Sequence, residues 1–222
     1  DPVDEYAIPE SLSRKMHFTG YIPRRIPGRK AVKKSKIKNS VKNGEKLVVV
    51  TTGGGGDGYA VMNAFLAMLE SGSAPLPFKS VLITGPFMPL EKRKEIFERA
   101  RQLGVKTCRF YEQMEDILAA ADLVVSMGGY NTICEILTQG TVSLLIPREN
   151  PRKEQLIRSQ VLHRRNLVDY IPLNSVAPSI LRDKILSLLN NPEPYHEAIS
   201  RFQLTGIEAM RRRLAEFRNG KS

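Results

Sequence analysis

The sequence predicts an α/β fold, in which a Rossmann-like, doubly wound parallel sheet of about six strands carries helices on both faces. Strands and helices alternate from Lys46 onward, which is the pattern of a parallel sheet with right-handed crossovers. The segment Leu123–Ser126 is apolar without polar alternation, as expected for a strand that helices cover on both sides. Glycine clusters follow two of the strands, at Gly53–Gly58 and at Gly128-Gly129.

The predicted elements follow one another along the chain in a regular order. Strands are expected at residues 46–52, 80–84, 105–110, 123–126, 141–146 and 167–171. Helices are expected at residues 59–70, 90–103, 114–121, 153–165 and 176–189, with one that begins at Asn131 or Thr132 and a last amphipathic helix at residues 195–218. Gly104 is a typical terminator for the second of these helices. Upstream we expect a strand at residues 15–22, closed by Pro23, and then an exposed, in part helical, loop at residues 23–45.

Length and cysteine content narrow the class of protein. The 222 residues suffice for one large domain that buries roughly 70% of its unfolded surface, and no apolar run approaches the ~18 residues of a membrane span. Because the chain does not begin with Met, we expect a piece of a longer soluble, cytoplasmic protein. The two cysteines, Cys108 and Cys134, fit no zinc spacing and favour a reducing compartment without a structural metal.

The net charge of +11 is concentrated in one segment. Residues 24–46 contain ten Lys or Arg and a single acid, Glu45. Such a run is compatible with a solvated loop or with contact with an anionic membrane surface, at about 1 kcal/mol per charge. Nucleic acid is disfavoured because the run contains no aromatic residue to stack on bases.

The first glycine loop satisfies the pattern GxGxxG between a strand and a helix, which raises the possibility of a dinucleotide site. That site also needs an acid at the end of the second strand, where this chain reads Thr84-Gly85-Pro86, and NAD is therefore disfavoured. Asp57, within the loop, is expected to cap the following helix.

The second glycine turn is followed by a helix start, whose unpaired N–H groups and dipole favour a phosphate. Thr132 and Glu135 form a capping-box pattern, while the same glutamate is also placed to hold a ribose, and the residues alone favour neither role. A cleft lined by both glycine loops would suit the diphosphate and sugar of one nucleotide. Two tight turns without a ligand remain the structural alternative.

With these features, the chain resembles the C-terminal, donor-binding half of a GT-B glycosyltransferase, close to family 28. The resemblance covers about residues 16–218 and is most specific at residues 110–114, 128–135 and 147–155. It implies that a UDP-sugar donor binds across the strand ends, with the main chain of Tyr111 at the uracil and Met114 packed near the base. The diphosphate would lie on Gly128, Gly129, Asn131 and Thr132.

The same resemblance assigns the remaining contacts. Glu135 would hold the ribose hydroxyls, and Glu154 and Gln155 would hydrogen-bond the sugar. Arg148 would approach the diphosphate. The first loop, Gly53, Gly54, Gly55 and Gly56, would face the sugar and diphosphate from the other side.

The resemblance also implies a division into domains. Residues 1–45 would form an interdomain segment and residues 46–222 the donor-binding domain, whereas the N-terminal acceptor domain would lie outside this chain. We therefore expect no catalytic residue, no cofactor and no metal here, and His17, His163 and His196 are interpreted as structural or exposed. The whole protein would transfer a hexosyl group to an acceptor hydroxyl, with a lipid-linked acceptor or an anionic membrane surface as further partners. The alternative is a non-catalytic nucleotide- or polyanion-binding module on the same sheet.

Overall fold

Six parallel strands form one sheet in the computed structural model, which describes residue 3, residues 7–72 and residues 75–219. The strands are β1 (Lys46–Thr51), β2 (Phe78–Ile83), β3 (Lys106–Cys108), β4 (Leu123–Ser126), β5 (Ser143–Leu145) and β6 (Asp169–Tyr170). Their order across the sheet is β3-β2-β1-β4-β5-β6, and every neighbouring pair is parallel. The predicted fold class is confirmed.

Helices connect the strands and flank the sheet. They are α1 (Glu10–Ser13), α2 (Arg29–Lys38), α3 (Tyr59–Glu70), α4 (Leu90–Gln102), α5 (Met114–Ala120), α6 (Tyr130–Gln139), α7 (Glu154–His163), α8 (Pro178–Asn190), α9 (Glu193–Arg201) and α10 (Gly206–Arg218). Two apolar clusters form the core, one containing Phe65 and Leu66 of α3 and the other Ile117 and Leu118 of α5. The central strands are buried on both sides, which explains their unbroken apolar sequences.

The strand order places the two glycine loops side by side. The first strand in the chain, β1, lies between β2 and β4. Strands β2 and β3 are added on one side of β1, and strands β4, β5 and β6 on the other, so the strand order switches sides between β1 and β4. Thr51 is in register with Ser126, and the loops that follow these residues therefore leave the same edge of the sheet. In open α/β sheets the crevice at this switch point is the usual place for a ligand.

Two predicted elements are wrong. Residues 15–22 form no strand, and residues 16–28 instead run as irregular chain up to α2, which occupies part of the predicted basic loop. The predicted long last helix is two helices, α9 and α10, separated at Phe202, whose backbone is extended. The second helix begins at Gly206, with Thr205 as its N-cap residue. The prediction joined the two helices because the apolar residues keep a helical spacing across the break.

The chain contains two compact units, Arg24–Phe202 and Asp1–Pro23 with Gln203–Ser222. The sheet belongs to the first. Within the second, the N–H of Gly206 donates to the carbonyl oxygen of Tyr21 at 3.0 Å, and a Cβ at Gly206 would lie 2.7 Å from that oxygen. The predicted boundary at residue 45 concerns domains of a longer protein and stays a prediction.

The last helix, α10, exposes an apolar stripe. Met210, Leu214 and Phe217 follow one another at helical spacing, and Phe217 is 76% exposed. None of the helices that the structure describes is long and apolar enough to cross a membrane.

Candidate nucleotide-binding site

Two adjoining cavities open at the carboxyl ends of β1 and β4. The glycine-loop cavity, of about 370 Å³, is bounded by residues 52–57, Met127, residues 129–132 and Gln155. The Tyr111 cavity, of about 290 Å³, lies towards β2 and β3. Both cavities share the wall formed by Gly53, Gly54, Asn131 and Thr132, so one elongated ligand can occupy both.

The first glycine loop packs directly on the backbone that follows β2. Gly55 has φ +87°, and a Cβ at this position would collide with the carbonyl oxygen of Thr84. The N–H of Phe87 donates to the carbonyl oxygen of Gly54 at 2.8 Å. By contrast, a Cβ at Gly56 would meet no heavy atom within 4 Å. Gly55 is therefore needed for the local fold, whereas Gly56 leaves open space beside the cavity.

The second glycine turn starts α6 at the shared wall. Gly129 is the N-cap residue and makes no side-chain capping hydrogen bond, and the ten-residue helix presents its N-terminus to both cavities. Gly128 is buried behind this turn and lines neither cavity; its carbonyl oxygen accepts a hydrogen bond from Arg158 Nη1 at 2.9 Å. Gly128 has φ +77°, and a Cβ there would press on Ser159 Oγ at 3.1 Å. It thus shapes the turn rather than the cavity surface.

Glu135 lines the Tyr111 cavity and does not belong to a capping box. Because α6 begins at Tyr130, Thr132 is the third helical residue and not the N-cap, and the capping interpretation is wrong. The Glu135 carboxylate makes no hydrogen bond to any residue that the structure describes. Burial raises its pKa, Arg24 opposes that increase, and Glu115 adds to it.

The predicted base-binding residues, Tyr111 and Met114, also line the Tyr111 cavity. The Tyr111 hydroxyl accepts a hydrogen bond from Asn39 Nδ2 at 3.2 Å and lies 3.2 Å from Ser35 Oγ. Lys38 Nζ lies 4.8 Å above the same ring. These contacts with α2 and its C-cap residue Asn39 anchor Tyr111 in the loop between β3 and α5.

The three predicted residues after β5 have different environments. Gln155 lines the glycine-loop cavity, and its Oε1 accepts the Arg148 backbone N–H at 3.1 Å. The Arg148 guanidinium bridges two carboxylates, with 2.5 Å from Nη1 to Asp57 Oδ2 and 2.5 Å from Nη2 to Glu154 Oε1. Arg148 and Glu154 are not among the described residues that line either cavity. Asp57 does not cap α3, whose N-cap is Gly58, and that prediction is wrong.

Two contributions to the site escaped the sequence analysis. Phe110 and Arg109 line the Tyr111 cavity, and Phe110 is 67% exposed. The signal in the sequence was the position of Phe110, at the end of the predicted strand 105–110 and within the stretch 110–114 that resembles the family. Arg24 reaches the shared wall from the basic segment: its Nη2 donates to Asn131 Oδ1 at 2.8 Å, and its backbone N–H donates to Thr138 Oγ1 at 3.0 Å. The 107 positions between Arg24 and Asn131 explain why no local pattern predicted this contact.

The three histidines lie outside both cavities. His17 and His196 are exposed, and His196 Nδ1 lies 3.0 Å from the carbonyl oxygen of Gly140. His163 Nδ1 contacts the Val168 carbonyl oxygen and the Asp169 carboxylate at 3.3 Å each. Among the described residues, no group of three or more His, Cys, Asp or Glu side chains is arranged to hold a metal ion.

Solved structures that share this arrangement of strands and helices include glycosyltransferases. The chain aligns with Acinetobacter baumannii MurG at a TM-score of 0.58 and 17% identity, over 78% of this chain and 51% of that one. A glycosyltransferase from Rickettsia africae gives a TM-score of 0.62 at 10% identity, over 87% and 52%. The fold is thus that of one half of a GT-B glycosyltransferase.

The family is shown by sequence. The model of the glycosyltransferase family 28 C-terminal domain matches residues 36–214, and the chain belongs to this family. A Shouchella clausii relative, UDP-N-acetylglucosamine--N-acetylmuramyl-(pentapeptide) pyrophosphoryl-undecaprenol N-acetylglucosamine transferase, is 30% identical over 112 residues, or 48% of this chain and 32% of the relative. The enzyme of the same name from Thermoanaerobacter sp. is 25% identical over 171 residues, or 74% and 45%. The chain therefore spans less than half the length of these relatives.

Proposed function

We propose that this chain is the donor-binding half of a glycosyltransferase that moves a hexosyl group from a UDP-sugar to an acceptor hydroxyl. The observation that carries the proposal is the pair of cavities on either side of the α6 N-terminus, with the unpaired carboxylate of Glu135 in one of them. A nucleotide-diphosphate sugar has three chemically distinct parts, and the walls of the two cavities offer a different kind of group to each.

The uracil and ribose belong in the Tyr111 cavity. The main chain at Tyr111 can pair with the edge of the base, while Met114 and Phe110 supply apolar contact. An ionised Glu135 can accept a hydrogen bond from each hydroxyl of the ribose, and charge-assisted bonds of this kind contribute about 1.5–3 kcal/mol each. This arrangement explains a half-buried glutamate that has no hydrogen-bond partner among the described residues.

The diphosphate belongs at the shared wall. The N-cap residue of α6 is Gly129, which has no side chain that could cap the first turn, and the helix dipole adds positive potential at the same place. Gly53 and Gly54 allow a ligand to approach the opposing backbone closely. Helix-end N–H groups stabilise a leaving diphosphate without a metal ion, which supports a metal-independent transfer in the whole protein.

The sugar belongs in the glycine-loop cavity. Because the Arg148 backbone N–H holds Gln155 Oε1, the Nε2 of Gln155 is free to donate to a sugar hydroxyl. Arg148 itself can approach the diphosphate, and Glu154 the sugar, after the ion pairs of Arg148 with Asp57 and Glu154 rearrange.

The transfer needs a second domain that carries the acceptor site and the general base. The apolar stripe of α10 fits a surface that such a domain covers. Relatives act on a pyrophosphoryl-undecaprenol acceptor, and a lipid-linked acceptor in the cytoplasm is the corresponding proposal for the whole protein.

A thermal-shift titration tests the donor proposal on this chain. UDP and UDP-sugars are expected to raise Tm in a saturable manner, since a ligand at 100 times its Kd adds about 2.7 kcal/mol to the free energy of unfolding. NAD serves as the control nucleotide and is expected to leave Tm unchanged. A Tm that responds to NAD but not to UDP would contradict the proposal.

A further inference from the structure

The surface of α2 carries an unusual concentration of uncompensated positive charge. Lys30, Lys33, Lys34 and Ile37 follow the helical spacing i, i+3, i+4, i+7 and are all exposed, and Arg29 adjoins them. We call these five residues the basic face. None of its four cations forms a salt bridge with a residue that the structure describes.

A second surface helix shows how cations are normally compensated in this protein. On α4, Lys94 pairs with Glu91 at 3.0 Å and Arg101 with Glu98 at 2.7 Å, while Arg99 binds Glu70 at 2.8 Å. The basic face has no such partners, because α2 contains no acid. Like charges at helical spacing repel one another and destabilise the helix, so the face has a cost that an ordinary solvated helix avoids.

The acids nearest the start of α2 are already engaged elsewhere. Arg25 Nη2 lies 2.5 Å from Asp116 Oδ1 and 3.7 Å from Glu115 Oε2, and this pairing raises the pKa of the Arg25 guanidinium. Both carboxylates belong to the first turn of α5. The other side of α2 packs against α5. Lys34 shares a small cavity with Glu112 and Asp116 but forms no salt bridge with either of them, and Arg29, Lys30 and Lys33 do not line that cavity.

The opposite side of α2 is firmly held. Ser35 is buried and contacts the Tyr111 hydroxyl, and Asn39 just beyond the helix is also buried. The helix is thus a fixed part of the unit that carries the donor site, and its charges keep a constant orientation.

Exposed aliphatic residues accompany the charges. Ile37 is 67% exposed at the C-terminal end of the basic face, and Ile26 is 74% exposed just before the helix. Lys and Arg around aliphatic side chains are the composition of helices that lie on anionic bilayers, where the apolar groups enter the acyl boundary. Binding to nucleic acid would be favoured by exposed aromatic residues, and α2 contains none.

We propose that the basic face docks this protein on an anionic phospholipid surface. The charges attract the lipid headgroups and Ile37 inserts between them. The proposal goes beyond donor binding and does not depend on it, because the basic face contributes no residue to either cavity.

Vesicle sedimentation of the 222-residue chain tests this proposal. We expect binding to vesicles with roughly 30% phosphatidylglycerol, weaker binding as salt is added, and little binding to pure phosphatidylcholine. The variant R29Q/K30Q/K33Q/K34Q, in which Gln preserves helix propensity, is expected to bind anionic vesicles at least tenfold more weakly. Ile37→Ser alone should weaken binding about threefold, whereas simple ion exchange would not respond to it.

A matched control removes four exposed cations elsewhere, in K94Q/R101Q/R164Q/R165Q, and should bind within about threefold of the parent chain. Equal losses in the two quadruple variants, or unchanged binding in the α2 variant, would overturn the proposal. Tighter binding of single-stranded RNA than of anionic vesicles at the same salt would overturn it in favour of nucleic acid.

The UDP thermal shift, measured in parallel, should be the same in both variants. Its absence from the parent chain would contradict the donor proposal and leave the vesicle result standing.

Discussion

The two cavities of the candidate site differ in how far their polar groups are already satisfied by the protein. In the Tyr111 cavity, the Glu135 carboxylate has no hydrogen-bond partner among the described residues. Beside the glycine-loop cavity, Arg148 is ion-paired with both Asp57 and Glu154, although Arg148 Nε and Glu154 Oε2 are buried without a hydrogen-bond partner among the described residues. In the proposed donor complex, the Tyr111 cavity therefore keeps a carboxylate available for the nucleotide, whereas Arg148 beside the glycine-loop cavity has to leave its ion pairs to reach a ligand.

The largest expected effect concerns the loop that both cavities share. Gly55→Ala places a Cβ against the Thr84 carbonyl oxygen at a positive φ and should lower the free energy of unfolding by about 3 kcal/mol or more, with loss of UDP binding. Gly56→Ala is the matched control and should change the free energy of unfolding by less than about 1 kcal/mol. Denaturant unfolding of both variants measures the difference, and equal stabilities would show that the loop is not held as described.

Removing the unpaired carboxylate is expected to affect only the nucleotide end. Glu135→Gln should weaken UDP binding about tenfold or more, because a neutral amide cannot make two charge-assisted bonds to the ribose. Glu193→Gln, which changes an exposed carboxylate of α9 that lines neither cavity, serves as the control. Isothermal titration with 2′-deoxy-UDP sharpens the comparison: the parent chain should discriminate against this analogue, and the Glu135 variant should not. Undiminished discrimination in the variant would rule out the ribose contact.

The pKa of Glu135 gives the same contact a pH dependence. Burial raises this pKa, and the carboxylate must be ionised to accept both hydroxyls. Affinity for a UDP-sugar should therefore be complete well above the raised pKa and should fall as the pH drops through it. In the free protein the sign is opposite, since a raised folded-state pKa means that protonation favours the fold. Titrations at several pH values check this, and Glu135→Gln should remove the dependence.

The smallest expected effect concerns the ion-paired sugar end. Arg148→Gln should weaken binding of a UDP-sugar by about threefold relative to UDP, because the bridge between Asp57 and Glu154 is lost while the nucleotide contacts remain. The free energy of unfolding should change by no more than about 1 kcal/mol, as expected for partly exposed ion pairs. A loss of UDP affinity as large as that of UDP-sugar affinity would show that Arg148 leaves these ion pairs and contacts the diphosphate in the bound state, the rearrangement described above.

Local patterns predicted the elements whose structure is decided locally. The apolar runs predicted the strands of the sheet, and the glycine loops predicted the edge of the sheet at which the cavities lie. Contacts between distant positions were beyond such patterns: Arg148 and Asp57 are 91 positions apart, and Tyr111 and Ser35 are 76 apart. The predicted strand at residues 15–22 failed for a related reason, since residues with strand propensity need a neighbouring strand, and the sheet provides none for them.

Glu135 illustrates the limit most clearly. Its sequence neighbourhood fits a capping box and a ribose contact equally well, and only the start of α6 at Tyr130 separates the two. The family resemblance suggested a ribose as the ligand of Glu135, and the position of the helix start excluded the capping box.

A crystal structure of this chain with UDP tests the central claim most directly. We predict uracil against the main chain of Tyr111, ribose hydroxyls within hydrogen-bond distance of Glu135, and the diphosphate at the N-terminus of α6. UDP bound with its base in the glycine-loop cavity, or bound away from α6, would contradict the account.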